Sequence, residues 1–378
     1  MRFETQLVRG EGTGDANTGA VSVPIYHAST FDWPDLDHEP RFDYARAGNP
    51  TRQALEDTIA GLEGGAQGFA FASGMAATST VLSLFSAGDH LVVANHVYGG
   101  TDRVLTRVFS RFGIESSFVN TSDLESVRAG IRPNTRALIL ETPSNPFLTI
   151  TDLRGAVDIA RAAGILTIVD NTFMTPYLQR PLALGCDVVV HSATKFLGGH
   201  SDVVAGLAVT RDRELGARLA FLQKALGGVL GPQDSWLVLR GMKTLAVRMQ
   251  REQATAGVLA DWLRAQPEVS AVFYPGLADH PGHATHLAQA AGPGAVLSVR
   301  FATEDIARRV YARRKVPALA VSLGGVESIL SVPARMSHAS LPPQRKRELG
   351  IDDTLARLSV GLEAPEDLVA ELEQALRK

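Results

Sequence analysis

The stretch DVVVHSATKFLGGHS, residues 187–201, decides the fold of this chain. It begins with an apolar run, typical of a strand buried inside a sheet, and continues into a hydroxyl-rich turn that carries Lys195. Upstream, the run ILTIV at residues 165–169 predicts a second buried strand, which Asp170 follows directly. The sequence therefore puts an amine and a carboxylate at neighbouring strand ends, on the edge where open α/β sheets bind ligands.

Apolar strand-like runs alternate with amphipathic helical segments around this stretch, over residues 50–245. Helical periodicity is clearest in Asp102–Phe112 and Leu153–Ala163. This alternation predicts an α/β fold, in which helices cover both faces of a mostly parallel sheet. The predicted strands are Gly68–Ala72, His90–Ala94, Ser117–Asn120, Ala137–Glu141, Leu166–Asp170, Asp187–His191 and Leu207–Thr210.

The chain is expected to have three parts. Residues 1–45 are rich in glycine, aspartate and proline and predict an extended N-terminal arm, whereas residues 46–245 form the α/β domain. Residues 246–378 predict a smaller C-terminal α+β domain, and a long helical stretch, Gln233–Leu263, is expected to connect the two domains. The C-terminal elements are predicted at Ser270–Tyr274, Gly294–Phe301 and Arg357–Val360 for strands and at Asp305–Arg313 and Glu366–Leu376 for helices.

The composition excludes several classes of function. The 378 residues are 45% hydrophobic and 20% charged, and the net charge of -3 gives no basic field that would attract nucleic acid or anionic lipid. The single cysteine, Cys186, cannot form an intrachain disulfide, and the apolar runs are much shorter than a membrane span. The N-terminus lacks an apolar signal core. We therefore expect a soluble, cytoplasmic protein without nucleic-acid or membrane partners.

Three histidines at a spacing of three residues, His280, His283 and His286, resemble a set of metal ligands. They lie in a segment rich in proline and glycine, with no acidic or cysteine partner at a suitable spacing. We interpret them as part of a solvated loop and predict no metal site.

The segment FASGMAA, residues 71–77, follows a predicted strand and opens an alanine-rich helix. Gly74 and Met75 would present backbone N–H groups of a helix N-terminus to an anion, because a glycine permits close approach. Ser192 and Thr194 would add hydroxyl donors to the same phosphate. Taken alone, the Ser-Gly pair equally fits an ordinary helix cap.

Together these residues favour pyridoxal 5'-phosphate (PLP) as the cofactor. Lys195 would hold it covalently, and the carboxylate of Asp170 would keep its ring nitrogen protonated. Tyr98 follows another predicted strand, where it would stack on the ring and move protons. A loop tyrosine that packs its ring on the surface is the alternative interpretation.

Over nearly its whole length, the chain resembles the PLP-dependent enzymes of cysteine and methionine metabolism, which have the fold type I architecture. The motif around Lys195 fits the family's cofactor-binding lysine, and four further motifs fit in the same order. These motifs are YARAGNPT at residues 44–51, ETPSNP at 141–146, VDNT at 169–172 and RLSVGLE at 357–363.

The resemblance implies roles for residues that composition and spacing leave open. Tyr44 and Arg46 would contact the cofactor phosphate of a neighbouring subunit, which implies a homo-oligomer, usually a tetramer built as a dimer of dimers. Arg357 would bind the substrate α-carboxylate, because a planar guanidinium pairs with a carboxylate through two hydrogen bonds. The further substrate contacts that the resemblance implies are Asn145, Ser322, Ser328 and Arg103.

Local motifs favour a carbon–sulfur lyase that acts on cystathionine, through γ-elimination. The motif LGGVES, residues 323–328, resembles cystathionine γ-lyases and would place Glu327 at the distal ammonium of the substrate. Ser331 and Ser337 depart from the usual Glu and Thr, and they put the substrate preference in doubt. Cystathionine β-lyase and cystathionine γ-synthase stay open as alternatives on the same scaffold. A binding protein without catalysis is disfavoured, because Lys195, Asp170, Tyr98 and Arg357 are all present.

Overall fold

The computed structural model describes residues 1–10 and 12–377. The larger of its two sheets contains every strand predicted before residue 211. Its order is β1-β7-β6-β5-β4-β2-β3, and the strands from β6 to β3 are all parallel, whereas β7 runs antiparallel to both of its neighbours. The strands are β1 (Gln67–Phe71), β2 (His90–Ala94), β3 (Glu115–Val119), β4 (Thr135–Glu141), β5 (Leu166–Asp170), β6 (Val188–Ser192) and β7 (Gly206–Thr210). The predicted α/β fold with a mostly parallel sheet is confirmed.

Helices pack on both faces of this sheet and connect its strands. Asn49 shows how one of them is delimited, since its side chain accepts the N–H groups of Thr51 and Arg52, Pro50 takes the first helical position, and Gly64 ends the helix at a φ of 73°. The helices before residue 230 are α1 (Phe3–Arg9), α2 (Pro50–Glu63), α3 (Gly74–Leu82), α4 (Gly99–Arg107), α5 (Leu124–Gly130), α6 (Leu153–Ala163), α7 (Thr175–Leu178) and α8 (Arg213–Leu226), with 3-10 turns at Phe109–Phe112 and Pro181–Leu184.

The C-terminal part forms a second, smaller sheet of order β10-β11-β12-β9-β8, which is antiparallel except for the β10–β11 pair. Its apolar face packs against α10, α12 and α14 in a separate core. The elements are α9 (Pro232–Met242), α10 (Leu245–Arg264), β8 (Val269–Phe273), α11 (His283–Gln289), β9 (Val296–Phe301), α12 (Glu304–Arg313), β10 (Ala318–Leu319), β11 (Ile329–Ser331), α13 (Pro343–Glu348), β12 (Leu355–Ser359) and α14 (Pro365–Leu376).

Two predictions of local structure were wrong, and a third, the helical stretch Gln233–Leu263, is confirmed except for one break. The N-terminal arm is not wholly extended, because Phe3 and Leu7 lie on one side of α1 and pack against the main core. The long helix predicted from residue 233 is broken between α9 and α10. At this break the Gly241 carbonyl accepts hydrogen bonds from Thr244 and Arg248, and a Cβ on Gly241 would lie 2.1 Å from the Gly198 carbonyl oxygen. The backbone of Gly241 therefore lies against the lysine loop where α9 ends.

The histidine segment is also not a solvated loop. His280 and His286 are buried, and their Nε2 atoms hydrogen-bond to the carbonyl oxygens of Leu148 and Gly292. His283 begins α11. Within residues 1–10 and 12–377 no helix is long and apolar enough to cross a membrane.

Candidate active site

A cavity of about 510 Å³ lies at the carboxyl ends of β4, β5 and β6, between the two sheets. We call its two sides the coenzyme wall and the substrate wall. The coenzyme wall comes from the large sheet and consists of residues 73–75, 98, 170, 172, 173, 192, 194 and 195. The substrate wall is mostly C-terminal and consists of residues 103, 141, 145, 321–323, 331, 336–340 and 357, of which 338 lies behind the surface.

Lys195 stands where the two walls meet. Its Nζ donates a hydrogen bond to Ser322 Oγ at 2.6 Å. Burial, together with the positive charge of Arg357, lowers the pKa of Lys195 to about 8. A much larger fraction of this amine is therefore unprotonated near neutral pH than of an exposed lysine, which makes it a nucleophile and a base.

Ser322 connects Lys195 to the substrate wall. Its hydroxyl accepts from Lys195, and its carbonyl accepts from Arg357 Nη2 at 2.7 Å. The residue has a φ of 88°, in the left-handed region that non-glycine residues seldom adopt. The hydrogen bonds to Lys195 and Arg357 hold the Ser322 backbone in this conformation. We therefore interpret the backbone strain as a feature of the site.

Asp170 ends β5 and faces the cavity beside Lys195. Its Oδ1 accepts hydrogen bonds from the backbone N–H and the hydroxyl of Thr172, at 3.0 and 2.5 Å. The Thr172 hydroxyl oxygen in turn accepts from the Ser192 N–H, which ties the ends of β5 and β6 together. Burial raises the pKa of Asp170, so a cationic partner in the cavity would stabilise its ionised form.

A buried polar network supports Asp170 from behind. Glu63 Oε1 lies 2.6 Å from His191 Nε2 and accepts from Asn171 Nδ2 at 3.2 Å. Gln179 joins the network by donating to Asn171 Oδ1 and to the Thr142 carbonyl. Because His191, Asn171 and Thr142 lie at the ends of β6, β5 and β4, the network connects the strand ends that carry the site.

The N-terminus of α3 forms the far end of the coenzyme wall. Ser73 caps the helix by accepting the Ala76 N–H, and the preceding N–H groups of Gly74 and Met75 border the cavity. A Cβ on Gly74 would lie 2.9 Å from the Cβ of Ser192, so glycine permits this approach. Thr194 lines the cavity too, but its hydroxyl donates to the Ala205 carbonyl.

Tyr98 borders the cavity just before α4. Its backbone N–H donates to Glu141 Oε2 at 2.7 Å, and the Asn145 N–H donates to Glu141 Oε1 at 3.1 Å. A Cβ on Gly100 would lie 2.4 Å from the Tyr98 ring, so the ring occupies the space that glycine leaves. Burial and the nearby Asp170 raise the pKa of Glu141 well above its usual value.

Arg357 lies on β12 at the floor of the substrate wall. Its Nη1 donates to Asn145 Oδ1 at 3.0 Å and its Nη2 to Ser322, while the buried Nε has no hydrogen-bond partner among the described residues. Burial lowers the pKa of Arg357 to about 10, so the group stays cationic at neutral pH. A buried guanidinium with a free N–H is suited to bind a carboxylate.

Four of the predicted site residues lie outside this cavity. Ser328 is buried at the start of β11, where its hydroxyl donates to Glu363 and accepts the Gly361 N–H. Glu327 is exposed and accepts from Ser201. Tyr44 and Arg46 lie beside α8, where Arg46 donates to the Lys224 carbonyl, so the prediction that they serve a neighbouring subunit stays a prediction. Arg103 does lie at the rim, with its guanidinium exposed.

Sequence reasoning assigned no site role to Glu141 or to His338. Glu141 ends β4 in register with Asp170 on β5, so the rule that strand ends share an edge was enough to find it. His338 follows a loop without periodicity, and the sequence gives no signal for the contact of its ring with Ser337.

The residues present fit PLP, on three observations. The cavity has a buried amine of lowered pKa, a carboxylate at the neighbouring strand end and a helix N-terminus with a glycine that permits close approach. These groups match an aldehyde, a pyridine nitrogen and a phosphate, in that order. The arrangement can therefore hold the coenzyme while Arg357 binds an amino-acid carboxylate.

Comparisons with known proteins agree with this geometry. The family described as Cys/Met metabolism PLP-dependent enzyme matches residues 4–377. Cystathionine beta-lyase MetC of Bacillus subtilis is 55% identical over 376 residues, 100% of this chain and 96% of the relative. Cystathionine gamma-lyase of the same organism is 53% identical, over 100% and 99%. The crystal structure of cystathionine gamma-lyase from Lactobacillus plantarum, complexed with L-serine, has a TM-score of 0.98 at 48% identity and covers 99% of this chain and 98% of that one.

Proposed function

This chain belongs to the Cys/Met metabolism family of PLP-dependent enzymes, and from that premise we propose that it is a cystathionine γ-lyase. It would convert cystathionine to cysteine, 2-oxobutyrate and ammonia. The observation that carries the proposal is the continuous contact from Lys195 through Ser322 to Arg357, which puts a base beside a carboxylate anchor. The relatives of similar identity act on the same class of substrate by name.

The coenzyme, when bound, would withdraw electrons from the substrate and acidify first the proton on its α-carbon and then those on its β-carbon. Arg357 orients the substrate by pairing with the α-carboxylate, and Asn145 holds the guanidinium in place. The Lys195 amine, unprotonated above about pH 8, takes the α-proton, and a second proton must leave the β-carbon before the Cγ–S bond breaks. Tyr98, exposed at the cavity surface, would return a proton to the departing sulfur.

Cystathionine β-lyase is the main alternative, because a β-lyase is among the most similar relatives. Cystathionine joins a three-carbon and a four-carbon half through sulfur, and the bond that breaks depends on which half lies beside Lys195. The two poses differ by about one methylene at each end, which a pocket discriminates by only about 1–3 kcal/mol. The motif LGGVES at residues 323–328 supports γ-cleavage.

Cystathionine γ-synthase is a weaker alternative, since a bifunctional synthase of Bacillus subtilis is 44% identical over the whole chain. The two activities share the same anchor for the amino-acid substrate and differ in the second substrate, activated homoserine plus cysteine for the synthase.

We also propose a homotetramer in the cytoplasm. Tyr44 and Arg46 lie outside the cavity of their own chain, with Tyr44 46% exposed, as expected if they complete the site of a neighbour. A homogeneous monomer that retains full activity would contradict this proposal.

Product analysis tests the proposed activity. The holoenzyme is incubated with L-cystathionine, and the keto acid and the thiol are identified by mass spectrometry. We expect 2-oxobutyrate and cysteine. Pyruvate and homocysteine would establish the β-lyase instead, and cystathionine formation from an O-acylhomoserine and cysteine, without cleavage, would establish the synthase. Arg357→Met serves as the matched control, because it removes the carboxylate anchor but keeps the coenzyme wall.

A further inference from the structure

Ser337 lines the cavity on the substrate wall, beside the first turn of α4. Its carbonyl oxygen lies against α4, where a Cβ on Gly99 would be 2.4 Å away. Arg103, one turn further along the same helix, stands at the rim of the cavity. A substrate that is anchored at Arg357 and extends toward the rim therefore passes Ser337 and Arg103.

The imidazole of His338 fixes the hydroxyl of Ser337. His338 is buried, with 2% of its surface exposed, and its Nδ1 lies 2.9 Å from Ser337 Oγ. The backbone of Asn145 lies on another side of the ring and acts to raise the pKa of His338, as a nearby carbonyl acceptor does. Since Nδ1 faces Ser337, we infer that the ring proton lies on Nε2, where the carbonyl favours it.

His338 is neutral at physiological pH, so it carries only one ring proton. Burial, the charge of Arg357 and the neighbouring His96 lower the pKa of His338 to about 4. With the proton on Nε2, Nδ1 is an acceptor and the Ser337 hydroxyl must donate to it. A serine hydroxyl has only one proton, and the oxygen therefore presents lone pairs alone to the cavity.

We propose that Ser337, oriented by His338, accepts a hydrogen bond from the ammonium group at the far end of a thioether amino-acid substrate. An ammonium has donors only, and it matches a hydroxyl oxygen whose proton is already engaged. Arg103 would pair with the carboxylate beside that ammonium, so the rim recognises a second zwitterionic amino-acid group. The inference rests on the proposed function and names the group that selects cystathionine over simple thiols.

Two half-substrates separate the two charges. S-(2-aminoethyl)-L-homocysteine keeps the distal ammonium without the carboxylate, and S-(2-carboxyethyl)-L-homocysteine keeps the carboxylate without the ammonium. Their Kd values are measured on the holoenzyme by stopped-flow, from the first change in the visible absorbance of the bound coenzyme, which reports binding before the thioether is cleaved. Loss of one hydrogen bond to a charged group corresponds to about a tenfold change. The preference is the Kd of the carboxyethyl compound divided by the Kd of the aminoethyl compound. In Ser337→Ala this ratio should fall about tenfold, and in Ser337→Thr it should return to the wild-type value.

His338 has its own pair of variants. His338→Leu removes the acceptor for the Ser337 proton and should lower the same preference, whereas His338→Asn places an amide oxygen near the position of Nδ1 and should retain it. If Ser337→Ala leaves the preference unchanged, or weakens the carboxyethyl compound instead, Ser337 is not an ammonium acceptor. If neither compound nor cystathionine alters the absorbance of the wild-type enzyme, the proposed function itself fails.

Discussion

The two walls of the cavity are built differently. The coenzyme wall consists of strand ends and one helix N-terminus, since Asp170 ends β5, Ser192 ends β6 and Lys195 follows β6 within a few residues. The substrate wall consists mostly of the irregular segments around β11, residues 320–328 and 332–342, with Arg357 as the one group that projects from the middle of a strand. Each wall carries groups of both signs, Asp170 and Lys195 on the coenzyme wall and Glu141, Arg103 and Arg357 on the substrate wall.

This difference separates chemistry from selectivity. Hydrogen bonds between adjacent strands and the buried Glu63 network hold the coenzyme wall, so its geometry changes little with the identity of the loop residues. Loops carry the substrate wall, where single side chains such as Ser331 and Ser337 border the ligand directly. Substitutions on the first wall should therefore affect coenzyme retention, and substitutions on the second should affect the apparent affinity for substrate.

Lys195→Ala should have the largest effect, because Lys195 serves both walls. Loss of a base and of the covalent attachment should lower kcat by about 10⁴-fold or more. Steady-state assays with cystathionine and the coenzyme absorbance of the purified protein measure this loss. Lys315→Ala, at an exposed lysine, is the control and should behave as the wild type. Full activity of Lys195→Ala would contradict the assignment.

Asp170→Asn tests the coenzyme wall alone. It keeps the hydrogen bonds with Thr172 in part but removes the charge that faces the ring nitrogen. An interaction with a charged group contributes about 1.5–3 kcal/mol, so the affinity for PLP should fall by about 100-fold at the upper end of this range. Equilibrium dialysis measures that affinity. If only the KM for cystathionine changed and the affinity for PLP stayed the same, the proposed division of roles between the two walls would be wrong.

Arg357→Lys tests the substrate wall alone. A lysine has the charge but cannot make the paired bonds of a guanidinium, and kcat/KM should fall by about tenfold to 100-fold, mainly through KM. The coenzyme content of the purified variant, from its absorbance ratio, should equal that of the wild type. Loss of coenzyme from Arg357→Lys would mean that the two walls do not act separately.

Glu141→Gln should affect both walls to a smaller degree. A glutamine has one carbonyl oxygen for the two N–H donors of Tyr98 and Asn145, so one of these donors loses its acceptor. We expect about a tenfold lower kcat/KM and a modestly weaker hold on the coenzyme, with the fold retained by circular dichroism. Wild-type kinetics in this variant would exclude Glu141 as the link between Tyr98 and the carboxylate anchor.

The pH dependence of coenzyme uptake should show the smallest effect. Below about pH 8 Lys195 is protonated and not nucleophilic, so the rate at which apoenzyme takes up PLP should rise with pH and level off above about pH 8. Arg357→Met removes a charge that lowers this pKa, and its rise should shift to higher pH. Stopped-flow absorbance follows the reaction. A rate that rises through pH 10, as for an ordinary lysine, would refute the lowered pKa.

The sequence predicts the coenzyme wall well, because its residues occupy contiguous motifs at strand ends. The apolar runs locate β5 and β6, and the rule for parallel sheets then brings Asp170 and Lys195 to one edge. The same reasoning does not predict which residues form the substrate wall. Ser328 was expected on the substrate wall but is buried against Glu363, and Glu327 hydrogen-bonds to Ser201 outside the cavity. The reason is that loop conformation, rather than periodicity, decides which side chains of this segment face the cavity. Long-range contacts such as Lys195–Ser322 have no local signal.

The attachment point of the coenzyme is the most direct test. The holoenzyme is reduced with borohydride, digested and mapped by mass spectrometry, so that the lysine bearing the pyridoxyl group is identified. The account predicts a single modified peptide that contains Lys195. Modification at another residue, for example Lys224 or Lys243, or no modification at all, would contradict it.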